Sequence, residues 1–108
     1  MLFDDYLNDL PMLHSWDGGR AWHTGGFTPK HLKPSYNYLK RNLPPHPVFL
    51  ETGAGNSTIM LLFLELRKLI SIAPNHNLFD RIFDFCRKNG IRDTALEPHI
   101  DGSQWVMR

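Results

Sequence analysis

The sequence has one cysteine in 108 residues, Cys86. A lone thiol closes no internal disulfide, which excludes a small secreted scaffold held by cross-links. Net charge is nearly absent, with twelve Lys and Arg against eleven Asp and Glu. No basic tail hides in that balance: five basic residues face four acidic ones up to Pro45, and seven face seven beyond it. A dominant electrostatic grip on nucleic acid or on an anionic membrane is therefore not expected. Long apolar runs are missing too, the longest, Ile59 to Leu64, being far too short to cross a bilayer. Asp4 and Asp5 stand where a secretory leader would carry basic charge, and Asn8, Asp9 and Pro11 interrupt the first apolar stretch. Internal repeats and low-complexity tracts are absent. These absences leave the expectation of a small cytoplasmic domain.

Apolar residues make up 42% and charged residues 21%, a globular balance. A chain of this mass buries roughly two-thirds of its unfolded surface, enough for one core. Two segments differ in texture. Residues 1–47 hold six of the eight prolines, four of the eight glycines and two of the three tryptophans, and read as loops with short helices. Leu2, Phe3, Tyr6, Leu7 and Leu10 recur at helical spacing until Pro11. A second helix is expected from Pro34-Ser35 to Arg41, with Tyr36 and Leu39 on one face, before the stiff connector Pro44, Pro45 and Pro47.

Residues 48–108 are more regular. Val48-Phe49-Leu50 reads as a short, continuously apolar strand with an exposed edge, followed by a helix capped by Ser57 or Asn56 and running to about Arg67. Leu69 to Ala73 is a second strand. Asn75 or Asn77 caps the next helix, which carries Leu78, Phe79, Ile82, Phe83, Phe85 and Cys86 as a buried stripe and stops at Asn89-Gly90. A third strand runs from Thr94 to Ile100 across Pro98. This order is a βαβαβ unit with a parallel, Rossmann-like sheet.

Chemistry concentrates in Glu51-Thr52-Gly53-Ala54-Gly55-Asn56-Ser57-Thr58, directly after a strand and before a helix. Gly53 permits a sharp turn, Gly55 removes a Cβ from the path of a ligand, and N–H groups at the helix start favour an electron-rich group. A dinucleotide fingerprint wants a third glycine where Thr58 stands. Glu51 would repel a pyrophosphate and suits a ligand with an amine. Both features argue against a nicotinamide nucleotide. A turn that uses its glycines for geometry alone is the competing reading.

At these residues the sequence resembles the class I S-adenosylmethionine-dependent methyltransferases, whose first motif is an acidic residue followed by x-G-x-G at the end of strand one. The resemblance covers about residues 48–105. It implies S-adenosyl-L-methionine as the small-molecule cofactor, with Glu51 near the amino-acid moiety and Gly53, Ala54 and Gly55 lining it. Ser57 and Thr58 would cap the helix at the pocket wall. Asn75 stands where the family places an acidic ribose ligand, and it lacks the charge. Asp101 or Ser103 would lie near the adenine amine. The family's sheet has seven strands, of which this sequence supplies three. The resemblance therefore implies the cofactor-binding half of a methyltransferase, inactive alone, with the acceptor undefined and no general base to name. A non-catalytic module with a degenerate nucleotide-binding fold, which dimerises through its open sheet edge or binds a partner, is the second expectation.

Other residues invite chemistry less. The six histidines (14, 23, 31, 46, 76 and 99) show no ligand spacing, so no metal site is expected. Cys86 is expected as a buried structural thiol. Arg81, Arg87, Lys88 and Arg92 read as a solvated face. Trp16, Trp22 and Phe27 read as packing under the sheet, and only second as a lid over the cofactor.

Overall fold

A computed structural model describes residues 1–11, 13, 28–74 and 76–101. Its elements run α1 (Phe3–Asn8), α2 (Pro29–Asn42), β1 (Val48–Thr52), α3 (Asn56–Leu62), β2 (Lys68–Ala73), α4 (Asn77–Asn89) and β3 (Leu96–Ile100). The three strands form one parallel sheet in the order β1-β2-β3, interleaved with helices, as the alternating pattern requires. This is a Rossmann-like α/β unit, preceded by two helices among the described residues. None of the described helices is long and apolar enough to cross a membrane.

The register fixes the faces. Phe49 and Glu51 of β1 align with Leu69 and Ser71 of β2, and Leu69 aligns with Leu96 of β3. Leu69, Ser71, Ala73 and Leu96 are buried on that face, where the core lies. Successive strand residues alternate between faces, so Val48 and Leu50 turn the other way and are 47% and 61% exposed. Ile70 and Ile72 of β2 share their face and are half-buried. A parallel sheet normally buries both faces, so this apolar strip is unusual.

Helix α4 follows the expected stripe except at Phe83 and Phe85, which flank it and are half-buried. Leu78, Phe79, Ile82 and Cys86 are buried, and each large apolar side chain so placed contributes about 1.5–3 kcal/mol. Gly90 adopts the left-handed conformation at φ 67°, and the Ile91 N–H returns to the Cys86 carbonyl at 2.9 Å. The N-cap differs from expectation. His76 holds that place without a side-chain cap bond, and its Nδ1 instead meets Asp80 Oδ2 at 2.9 Å. Asn77 is the first helical residue, and Asn75 lies outside the described residues.

Helix α2 begins five residues earlier than the Pro34 signal suggested, with Pro29 at its first turn and Pro34 inside. Pro34 removes an N–H that would have reached the Lys30 carbonyl. Both residues are exposed, so solvent serves the freed acceptor. Leu32, fully buried, anchors the helix, a contact that outweighs the proline. Helix α3 is shorter than expected. It stops at Leu62 because Phe63 and Leu64 donate to Met60 and Leu61 in tighter turns, which lets Leu66 drop into the core.

The segment before β1 is built into the same core. Tyr6, Leu7, Leu13 and Leu32 are buried with Ile59, Leu69 and Ile82. The Met1 ammonium donates to the Asn89 carbonyl at 3.1 Å, and Arg81 donates to the Leu13 carbonyl. Trp16, Trp22 and Phe27, expected to pack under the sheet, lie outside the described residues.

Candidate ligand-binding site

The turn between β1 and α3 sits at the C-terminal ends of the strands, where ligands of open α/β sheets bind. Two features shape it. Gly53 has φ +87°, a conformation that side chains resist, while a Cβ there would meet nothing within 4 Å. Its glycine is thus required by backbone geometry, as the sharp turn demanded, and space lies open beside it. The Gly53 N–H donates to the Ile72 carbonyl at 2.6 Å, tying the turn to the end of β2.

Gly55, in extended backbone at φ 163°, is the N-cap of α3, so neither Ser57 nor Asn56 takes the place expected of it. Capping comes from Thr58, whose hydroxyl accepts from the Gly55 N–H at 3.1 Å. This is one arm of a capping box, the glycine having no side chain to supply the other.

The Thr58 hydroxyl, already an acceptor, donates its proton to Glu51 Oε1. Ser71 donates to the same oxygen at 2.8 Å, and Ser57 donates to Oε2 at 3.1 Å. Three hydroxyls, from β2 and from the first turn of α3, thus converge on one carboxylate at the end of β1. Thr58 and Ser71 are fully buried. Burial pushes the Glu51 carboxyl above its ordinary 4.5, and the hydrogen bonds from Thr58, Ser71 and Ser57 pull against it. A carboxylate offers about four acceptor positions. Among the described residues, Oε1 takes two hydroxyls and Oε2 one, so one acceptor position on Oε2 receives no donor from them.

The structure brings together Glu51, Gly53, Ala54, Gly55, Ser57 and Thr58 on this turn. Asp101 lies at the same end of the sheet: its N–H donates to the Ala73 carbonyl at 2.9 Å, extending β3 beside β2. Its side chain is exposed. Asn75 and Ser103 lie outside the described residues. Ser71 was missed by sequence reading. A serine among Leu69, Ile70, Ile72 and Ala73 was the available signal, since a hydroxyl in an apolar strand needs a partner.

Two other features were also unforeseen. The Tyr6 hydroxyl reaches the first residue of α3, donating to Asn56 Oδ1 at 2.6 Å. A separate cavity of about 400 Å³ lies at the opposite end of β1, lined by Tyr36, Leu39, His46, Pro47 and Phe63 among others.

Comparison with protein-family models, with curated proteins and with solved structures finds no match.

Proposed function

We propose that this chain carries the S-adenosylmethionine-binding half of a methyltransferase. The observation that supports it most is Glu51, a carboxylate set at the end of β1 beside the glycine turn and held by Ser57, Thr58 and Ser71, with one acceptor position that no other described residue fills. An acidic group in that place favours a cationic ligand over a pyrophosphate, and the turn's open side at Gly53 leaves room for one. Gly53, Ala54 and Gly55 would line the amino-acid end, with Asn75, Asp101 and Ser103 toward the nucleoside.

When bound, S-adenosylmethionine supplies an electrophilic methyl on sulfur. This half of the site binds and orients. Glu51 would accept from the ligand's ammonium, and the glycine turn would hold the chain leading to sulfur, leaving the methyl free for in-line attack. The acceptor-binding wall would stand on the far side of β1, which is an open edge among the described strands. The buried thiol of Cys86 suits the reducing cytoplasm. Titration calorimetry of the chain with S-adenosylmethionine tests the reading: saturable one-to-one heat supports it, and none at millimolar ligand refutes it.

A second reading, a non-catalytic module that pairs with another copy along β1, is favoured by the exposed Val48 and Leu50 on that edge strand. Sedimentation analysis separates the two. A stable dimer that Leu50→Lys abolishes, with no ligand heat, selects the second.

A further inference from the structure

Tyr6 carries a hydroxyl that its packing does not need. Its ring is fully buried, with its centroid 5.5 Å from that of Phe63 and 6.0 Å from those of Phe3 and Phe85. Phenylalanine would fill that aromatic cluster equally well. What the hydroxyl adds is a bond to the glycine turn: it donates to Asn56 Oδ1 at 2.6 Å and lies 3.0 Å from the Asn56 carbonyl oxygen. Asn56 follows Gly55 directly and opens α3. Its amide nitrogen also donates to the Pro11 carbonyl at 3.4 Å, so the chain just after α1 holds the same side chain.

The turn is therefore pinned from two directions. The sheet holds its start, through the Gly53 N–H on Ile72 and through Glu51. Helix α1, distant by 50 residues in sequence, holds its end through Tyr6. Burial pushes the Tyr6 phenol well above its ordinary range, so it stays a donor wherever the protein folds.

We infer that Tyr6 is a positioning residue for the glycine turn, so that its hydroxyl, bonded to Asn56, sets the shape in which the turn receives its ligand. The inference rests on the reading of this turn as the S-adenosylmethionine site. It makes Tyr6, and α1 through it, a working part of that site: loss of the Tyr6–Asn56 bond lowers affinity at the turn, and ligand bound at the turn strengthens that bond in return.

The test compares Tyr6→Phe with Leu7→Ala, which weakens α1 packing from the same helix without touching the hydrogen bond. Hydrogen exchange of the amides from Gly53 to Thr58 is followed in the ligand-free chain, with thermal melting and S-adenosylmethionine titration alongside. Tyr6→Phe is expected to exchange these amides about tenfold faster and to bind about tenfold more weakly. Leu7→Ala, at an equal or larger loss of melting temperature, is expected to stay near the parent chain on both. Equal exchange in Tyr6→Phe and the parent overturns the inference, and so does equal acceleration in the two variants at matched stability. Should Tyr6→Phe fail to fold, Asn56→Ala removes the side-chain acceptor and must show the same faster exchange. If the parent chain binds no S-adenosylmethionine, the reading of the site falls, and the exchange comparison alone still decides the role of Tyr6.

Discussion

Glu51 and Ser71 face each other across β1 and β2, and the Ser71 hydroxyl donates to Glu51 Oε1 at 2.8 Å. Each explains the other. A fully buried hydroxyl in a sheet is costly unless bonded, and a carboxylate at a sheet end is costly unless it collects donors. Together with Ser57 and Thr58 they tie three consecutive elements, β1, α3 and β2, to one point.

Replacing Ser71 with alanine therefore strips a charge-assisted bond and leaves Glu51 less compensated. A loss of about 1.5–3 kcal/mol is expected, read from urea denaturation at pH 7. A variant as stable as the parent chain would mean that the carboxylate does not draw on this hydroxyl.

The pH dependence of stability follows from the direction of the Glu51 shift. Its folded-state carboxyl binds a proton more tightly than the unfolded one, whose ordinary value is 4.5. The protonated form therefore favours the fold, and that contribution is lost as pH rises through the folded value. Between pH 7 and about 4.5 the parent chain should gain stability relative to Glu51→Gln, which cannot titrate. A difference that stays flat, or slopes the other way, contradicts the burial of this group.

Cys86 offers a probe of the core. The thiol is fully buried, and burial, with Asp93 adding to it and Arg87 opposing, pushes it up to about 12. In the native protein at pH 8 it should resist a disulfide exchange reagent, and in denaturant it should react at the rate of a free thiol. Fast native reaction would show that α4 opens readily.

Much of the fold was legible in the sequence because its signals are local. The apolar runs from Val48 and Leu69, the stripe on α4 and the stop at Gly90 need only neighbours and periodicity, and the parallel order follows from alternation. The errors came where distant contacts decide. Pro34 marked a helix start by its own chemistry, yet Leu32 packs into the core and carries the helix through it. The apolar stretch 59–64 promised a longer α3, but Leu66 must turn inward, so the helix ends at Leu62. At the candidate site, Glu51, the glycines and Thr58 stood out by adjacency. Ser71 and Tyr6 did not, since the sheet register and the docking of α1 bring them there across 20 and 50 residues.

The turn from Glu51 to Thr58 is proposed to receive S-adenosylmethionine. The most direct measurement is a two-dimensional amide spectrum of the labelled chain, recorded as S-adenosylmethionine is added. Saturable shifts centred on residues 51–58, with a weaker set near Asp101, are the expected result. A spectrum that does not move, or one that moves only around the cavity between Tyr36, His46 and Phe63 at the other end of β1, would contradict it.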